Sequence, residues 1–346
     1  MKKIIFFLFI ALVFPLNCFG DLKVIKVGLA INFNDINFTS CNPFGTSFQE
    51  GVLLALNDYN QLLEKNNLEV VLVDFDYGTG GLKILKAVED AAKSDIIGLI
   101  GYPCSTDAFI AAPAHQKLKL PMLTPCASST RLASFRDYVH LSSFSNEYTA
   151  ENLSKLARKT LGAKRITTVV ALDCAYCTDL ALNFKKHFQK FGGTVHEVNI
   201  LLSEENFKEI ARKVTEVKND AVFVPNPGIL SAQIIREISL HYNNEMNFLG
   251  ADSWGNECPH FIEIIGNTRL KGYAISHWHP DLPDKASKVF REKYLKNYGR
   301  EPNDTSALAY DGMSIILESI IYNKAYTSTF GNGLHVQGKT NDNKKA

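Results

Sequence analysis

Short apolar runs alternate along this chain with longer segments in which apolar positions recur at helical spacing. The first pair is an apolar run at residues 24–31, followed by a stripe of apolar side chains over 45–65. Strands that alternate with helices of about ten or more residues are typical of βαβ units, and these units build parallel sheets. The pattern therefore predicts an α/β protein.

The alternation falls into two series of similar size, separated by a polar stretch at residues 142–146. The predicted strands of the first series are 24–31, 68–76, 96–100, 121–124 and 138–141, and its helices are 45–65, 82–93 and 107–117. The second series has predicted strands 165–172, 194–200, 221–224, 247–250 and 273–276, and helices 148–161, 178–191, 207–217 and 230–241. Two last helices are predicted at 285–298 and 306–323.

Two such series predict two similar Rossmann-like lobes with parallel sheets, joined by a hinge. The most economical topology returns the last two helices to the first lobe. We therefore expect lobe one to contain residues 21–143 and 280–325, and lobe two residues 144–279. The polar, glycine-rich residues 326–346 are expected to form a poorly ordered tail.

The first twenty residues have the pattern of a secretory signal peptide. Lys2 and Lys3 precede an apolar core at 4–16, and small residues precede a cleavage point after Gly20. The pattern predicts export to the periplasm. Lipid attachment through Cys18 is less favoured, because Pro15 and Asn17 do not suit such a site.

Composition excludes few functions but lowers the case for some. The chain has 346 residues, 46% of them hydrophobic, and a formal net charge of +1. A charge so close to zero does not attract nucleic acid, and we expect no nucleic-acid partner. We expect a monomer.

Two loops carry the most suggestive chemistry. Residues 101–105 and 126–129 follow two neighbouring predicted strands and contain small residues, hydroxyls and backbone N–H groups. Open parallel sheets bind ligands outside the carboxyl ends of their strands. These loops are therefore the predicted binding site.

Cysteine and histidine offer competing chemistry. Six cysteines follow Cys18, which in an exported protein suggests disulfides. Cys174 and Cys177 form a CxxC between a strand and a helix, which predicts a local disulfide or two separately placed cysteines, with a thiol-disulfide oxidoreductase as the alternative function. His277 and His279 would share one face of a strand, but two ligands make a poor metal site. We predict no metal and no cofactor.

Several ordered segments together resemble one family. They are FQEGVLLALND at 48–58, the segments 100–105 and 120–128, Tyr176 just after the first strand of lobe two, Asp252 after a later strand, and Tyr310-Asp311. Over residues 24–323 the chain resembles the extracytoplasmic substrate-binding proteins of branched-chain amino acid ABC transporters. This Leu/Ile/Val-binding protein family has the type I periplasmic binding fold.

The resemblance implies roles for particular residues. Ser105 would donate to the carboxylate of a free amino acid, Ser128 would donate through its hydroxyl, and the Cys126 carbonyl would accept from the ammonium. Asp252 would pair with the ammonium and Tyr176 would close over the ligand. Three further candidates for contact are Tyr102, Pro103 and Cys104.

The chain also departs from the family. Asp252 is one methylene shorter than the usual glutamate, and residues 225–228 lack the aromatic that relatives often place there. The turn at 77–81 lacks the cysteine that often pairs with the one at 104, so Cys104 stays free or finds another partner such as Cys41 or Cys126.

The expected function is a non-enzymatic binding protein. It would capture a small branched-chain or apolar amino acid by hinge closure and deliver it to the membrane permease of an ABC importer. Alternatives within this class are a binder of amides or urea-like solutes, a ligand-sensing subunit, and a member that no longer binds.

Overall fold

The computed structural model describes residues 22–33, 44–241, 246–254, 260–266 and 270–330. The predicted signal peptide, Cys41, Cys258 and residues 331–346 lie outside this part of the chain. The described strands form two five-stranded sheets in which every strand pair is parallel. The predicted fold class is thereby confirmed.

The first sheet has the strand order β2-β1-β3-β4-β5. Its strands are β1 (Lys23–Ile31), β2 (Leu68–Asp76), β3 (Leu99–Gly101), β4 (Met122–Thr124) and β5 (Val139–Leu141), and the helices between them are α1 (Phe44–Lys65), α2 (Gly81–Lys93) and α3 (Ser105–Leu118). A short 3-10 helix at Thr130–Phe135 precedes β5. Apolar side chains of β1 and β3, among them Leu29 and Ile100, are fully buried between the helices.

The second sheet repeats this order. It runs β10-β9-β8-β6-β7, so β6 to β10 occupy the places that β1 to β5 have in the first sheet. Its strands are β6 (Arg165–Ala171), β7 (Thr194–Ile200), β8 (Ala221–Phe223), β9 (Asn247–Gly250) and β10 (Lys271–Ala274), and its helices are α4 (Asn146–Lys155), α5 (Ala175–Lys190), α6 (Phe207–Thr215), α7 (Gly228–Ser239) and α8 (His260–Ile265).

The last two helices are α9 (Lys285–Tyr298) and α10 (Asp304–Phe330), and α10 packs against the first sheet. Met313 and Leu317 of α10 join the buried core of β1 and α1. The Tyr310 hydroxyl donates to the Asp58 carboxylate of α1 at 2.8 Å. α10 therefore ties the C-terminal part of the described chain to the first sheet.

Some helices differ from their predicted bounds. α3 begins two residues earlier than predicted and continues through Pro113, while α10 extends to Phe330. α4 ends in a π-helical turn at Leu156–Thr160. The early start of α3 places Ser105 in the first turn of the helix.

A close approach between β1 and β3 gives a test of the sheet. A Cβ on Gly101 would clash with the Ala30 carbonyl oxygen, whereas a Cβ on Gly272 of β10 would meet the Trp254 ring at an ordinary contact distance of 3.7 Å. Gly101→Ala should therefore lower the free energy of unfolding by about 1–3 kcal/mol, because backbone must move to admit the methyl group. Thermal unfolding measures the change. Gly272→Ala is the matched control, and equal melting temperatures for the two variants would contradict the close approach.

Candidate ligand-binding cleft between the lobes

Loops from the carboxyl ends of both sheets meet at one interface. Ser105 follows β3 and Ser128 follows β4 in lobe one, while Tyr176 follows β6 and Asp252 follows β9 in lobe two. The Ala175 N–H donates to the Thr106 hydroxyl at 3.1 Å across this interface. Because β4 and β9 hold equivalent places in the two sheets, Ser128 and Asp252 lie on equivalent loops.

A strained turn holds the first of these loops. Tyr102 has a φ of 49°, a left-handed conformation that costs a non-glycine residue about 1 kcal/mol or more. Its N–H donates to the Ala30 carbonyl at 3.0 Å, and its carbonyl accepts from the Thr124 hydroxyl at 2.9 Å. Both neighbouring strands therefore fix the turn that leads into α3.

Tyr102 and Pro103 belong to the interior of lobe one. The Tyr102 ring is fully buried, stacked on Tyr77 at 5.3 Å and edge-on to His115 at 5.7 Å. Pro103 is also buried. Tyr102 therefore holds the turn that leads to Ser105, and contact of Tyr102 or Pro103 with a ligand stays a prediction.

Ser105 and Ser128 lie side by side. The Ser105 hydroxyl oxygen accepts the N–H groups of Ser128 at 3.2 Å and Ser129 at 3.3 Å. These two bonds occupy the oxygen and leave the hydroxyl hydrogen to donate. Ser105 also lies in the first turn of α3, where backbone N–H groups favour an anion.

The Ser128 hydroxyl already donates a hydrogen bond within the protein. Its hydroxyl donates to the Asn146 side-chain carbonyl at 2.8 Å, and its backbone carbonyl accepts the Asn146 N–H at 2.7 Å. Cys126 is half-buried, and its sulfur lies 3.9 Å from the Thr305 carbonyl at the start of α10. Ser128 therefore joins the loop to α4, and could donate to a ligand only by giving up Asn146.

A buried carboxylate joins the lobes beside these serines. Asp179 of α5 accepts from the Thr130 N–H at 2.8 Å, the Thr130 hydroxyl at 2.6 Å and the Asn146 amide at 2.9 Å. The Asn183 amide donates to Thr130 at 3.3 Å from one turn further along the helix. We name Asp179, Thr130 and Asn146 the interlobe latch. A charged residue among the apolar positions of a predicted helix is the only sequence signal that could have indicated it.

In lobe two, Asp252 contacts two other side chains. The Tyr176 hydroxyl donates to Asp252 Oδ1 at 2.8 Å, and His277 Nε2 lies 3.8 Å from Asp252 Oδ2. Burial, together with the charge of Asp252, raises the pKa of Tyr176 well above its usual value, so the phenol stays a donor. The structure thus brings together the two predicted lobe-two residues.

His277 also belongs to this region, although the sequence pattern offered it only as half of a poor two-histidine metal site. Its side chain is 2% exposed and stacks on Phe144 with ring centroids 3.9 Å apart. Burial lowers the pKa of the imidazole against the opposing effect of Asp252. His277 therefore lies uncharged beside a carboxylate at neutral pH.

Asp304, the first residue of α10, adds a second buried carboxyl group. It is 1% exposed and accepts from the Ser276 hydroxyl. Burial raises its pKa to about 7, and the charge of Asp252 acts in the same direction. Asp304 and Asp252 are therefore close enough to influence each other.

The loop at residues 225–228 is closed by its own polar contacts. The buried Asn226 side chain accepts the Ala171 N–H and donates to the Val169 carbonyl, both at 2.9 Å. Asn226 thus continues the pairing of β8 with β6 beyond the strand end.

The cysteines near the site have different states. Cys174 and Cys177 form a disulfide at the start of α5, and this confirms the prediction of a local pairing. Cys104 is a free thiol whose pKa is raised by burial to about 11. The disulfide encloses Tyr176 in its loop, so it shapes the part of lobe two that contacts Asp252.

Other features of the described residues lie apart from this region. An apolar cleft with a volume of about 280 Å³ lies between α10 and the strands β3 and β4, and its lining includes Ile97, Pro121 and Ile315. Over the described residues no helix has the length and hydrophobicity to cross a membrane. The same residues contain no group of three or more His, Cys, Asp or Glu side chains placed to hold a metal ion.

Comparison with known proteins agrees with this architecture. The leucine binding protein LivK of Thermotoga maritima superposes with a TM-score of 0.76 at 24% identity, covering 87% of this chain and 83% of that one. A solute binding protein of an ABC transporter from R. palustris, solved with 4-hydroxybenzoate, superposes with a TM-score of 0.76 at 21% identity, covering 87% and 81%. Both likenesses show the fold.

Sequence comparison identifies the family. The Leu/Ile/Val-binding protein homolog 6 of Brucella abortus is 24% identical over 311 residues, which cover 86% of this chain and 76% of the relative. The sequence profile of the periplasmic binding protein family matches residues 26–320. This match spans both sheets and the helix that returns to the first, and the resemblance predicted from the sequence is confirmed. The chain belongs to the periplasmic binding protein family, with the two-lobe α/β fold of its type I members.

Proposed function

We propose that this protein captures a small free amino acid, branched-chain or otherwise apolar, and delivers it to the membrane permease of an ABC importer. The observation that carries the proposal is the arrangement of opposite polarities at the interlobe cleft. Hydroxyl and N–H donors follow the strands of lobe one, and a carboxylate follows β9 of lobe two. A zwitterion needs both, because an unpaired buried charge is costly.

The carboxylate of the ligand would bind to lobe one. The Ser105 hydroxyl has a hydrogen to donate, since its oxygen is held by the N–H groups of Ser128 and Ser129. The first-turn N–H groups of α3 add further donors and a favourable helix dipole. The Cys126 carbonyl, next to these serines, is the proposed lobe-one acceptor for the ammonium.

The ammonium would bind chiefly to lobe two. Asp252 receives one hydrogen bond from Tyr176 and has its second oxygen turned toward His277 without a hydrogen bond. A carboxylate has four lone-pair sites, so capacity remains for an ammonium. Tyr176 fixes the orientation of the carboxylate and would lie over the bound ligand.

Closure of the lobes would complete the site. The interlobe latch joins α5 of lobe two to the 3-10 helix and α4, and Ala175 is bonded to Thr106 beside it. Closed lobes exclude water and strengthen the polar contacts to the ligand. The two crossings, near residues 142–146 and 277–280, would form the hinge, with lobe one at 21–143 and 280–325 and lobe two at 144–279. The closed protein, a monomer exported by its N-terminal leader, would dock on the permease.

The alternative functions have weaker support. An amide or urea-like solute carries no cation and would leave Asp252 without a partner of opposite charge. A thiol oxidoreductase needs an accessible sulfur, whereas Cys174 is 6% exposed and Cys177 fully buried. The family of the chain is one of solute binding rather than catalysis.

The charge pairing can be tested by isothermal titration of leucine, isoleucine and valine into the mature protein. Asp252→Asn should weaken binding by about 2 kcal/mol or more, roughly 30-fold, because the ammonium would lose its anion. Ser105→Ala should weaken it by about 1–2 kcal/mol, since it removes a hydrogen bond to a charged group. Asp74→Asn and Ser134→Ala, both on the exposed surface, are the controls. The proposal fails if none of the three amino acids binds the unsubstituted protein.

The interlobe latch predicts a kinetic effect. In Asp179→Asn the side chain is uncharged and accepts at one oxygen only, so the three donors of Thr130 and Asn146 cannot all be satisfied. We expect dissociation of the ligand about tenfold faster, with a smaller change in association, in stopped-flow measurements. Small-angle scattering should show a more open average shape. An unchanged dissociation rate would contradict a role of Asp179 in closure.

A further inference from the structure

We propose that His277 determines the class of ligand: its uncharged imidazole reserves Asp252 for an α-ammonium group, and its protonated form takes Asp252 as its own partner. The inference rests on the proposed function, because it assigns a second residue to the amino-acid site. It makes His277 a specificity-determining residue and makes amino-acid binding dependent on protons.

His277 has unmet hydrogen-bonding capacity. Its side chain is 2% exposed, and neither ring nitrogen has a hydrogen-bond partner among the residues that the structure describes. Stacking on Phe144 at 3.9 Å would be served equally well by a phenyl ring. Packing alone therefore does not account for an imidazole at this position.

His277 also lies close to the Asp252 carboxylate. The 3.8 Å between His277 Nε2 and Asp252 Oδ2 is too long for a hydrogen bond, but a movement of about 1 Å would form one. The Tyr176 hydroxyl already occupies the other oxygen, Oδ1. The side of Asp252 that faces His277 is thus the side on which a new cation can pair.

The other groups around His277 define what can influence it. Phe144 covers one face of the ring, and Tyr148 of α4 packs on Phe144 from beyond. Asp252 follows β9 and accepts a hydrogen bond from Tyr176 of α5, while Asp304 begins α10 and accepts one from the Ser276 hydroxyl next to His277. These two carboxyl groups can therefore both affect how ligand affinity depends on pH.

The direction of the pH effect follows from competition for Asp252. An imidazolium and a ligand ammonium would need the same carboxylate and would repel each other, so ligand binding disfavours protonation of His277. Burial lowers the pKa of His277 below its ordinary value. As far as His277 alone is concerned, amino-acid affinity should hold constant above that pKa and decline by up to about tenfold per pH unit below it.

Asp304 produces an effect in a different pH window. Its pKa is raised to about 7, so acidification from pH 8 to pH 6 removes a negative charge near Asp252. That loss weakens the binding of any cation before His277 is protonated. Asp304→Asn removes this contribution and leaves that of His277.

A ligand without an amine should behave in the opposite way. For a plain carboxylic acid, an unpaired Asp252 carboxylate is repulsive, and an Asp252 paired with protonated His277 is not. The R. palustris neighbour was solved with such an acid, 4-hydroxybenzoate. Leucine and 4-hydroxybenzoate are therefore the two probes that separate the classes.

The experiment is a titration of L-leucine and 4-hydroxybenzoate from pH 8 to pH 5 into the mature protein and into His277→Phe, His277→Gln and Asp304→Asn. For the unsubstituted protein we expect leucine affinity to fall at the acid end of this range, by up to about tenfold per pH unit, and 4-hydroxybenzoate affinity to rise there. Asp304→Asn should keep this acid fall. Both His277 variants should abolish it and leave only the change that Asp304 produces between pH 8 and pH 6.

His260→Gln is the matched control, since this histidine is exposed on α8 beside Glu263 and should keep the wild-type profile. Melting temperatures of all variants at pH 8 identify any that fail to fold, and the glutamine variant keeps the test open if the phenylalanine variant does. Leucine binding with the same pH profile in the unsubstituted protein and in both His277 variants overturns this inference and leaves the proposed function standing. Absence of binding by any amino acid at every pH overturns both.

Discussion

Every strand of a parallel sheet points the same way, so every strand in each lobe of this protein delivers its following loop to one edge. In both sheets the lobe's second strand lies on one side of its first strand, and the later strands lie on the other side. The connections from β1 and β3, and from β6 and β8, therefore run to opposite sides, which opens a crevice at that edge. The two sheet edges face each other, so the cleft between them is lined by equivalent loops of the two lobes. The chemistry of the cleft depends on this placement.

Three carboxyl groups near the interlobe region differ in their hydrogen bonding and in their exposure to water. Asp179 accepts from the N–H and the hydroxyl of Thr130 and from the side-chain amides of Asn146 and Asn183. These hydrogen bonds fix its geometry. Asp252 has one strong donor and one open side, and Asp304 is so poorly solvated that its pKa rises to about 7. Only Asp252 combines a fixed orientation with unused capacity, which is what recognition of a cation requires.

The sequence predicted most of the scaffold because periodicity carries that information. The strands at 68–76 and 194–200 have the predicted bounds, since their flanking turns are marked by polar residues and glycine. The positions of Ser105, Ser128, Tyr176 and Asp252 at strand ends also follow from chain order in a parallel sheet. The assignment of those four residues to ligand contacts remains a prediction.

The contacts between distant segments could not be predicted in the same way. Tyr102 stands in a loop of a kind that lines binding sites, yet a left-handed turn directs its ring into the core between Tyr77 and His115. His277 stands in a pattern typical of a simple strand end, yet the second crossing between the lobes carries it onto Phe144 of the first. Both outcomes depend on residues far away in the chain, and no local spacing records them.

Asp252 stands between two aromatic neighbours that differ in how they contact it. The aspartate side chain is short, so its charge lies close to these neighbours. There the Tyr176 hydroxyl fixes one oxygen, and His277 stands opposite the other at a distance just beyond hydrogen bonding. Burial of the imidazole against Phe144 makes its protonation unfavourable, so His277 lies uncharged opposite Asp252. The same packing that joins the two interlobe crossings thus also sets the charge of the site.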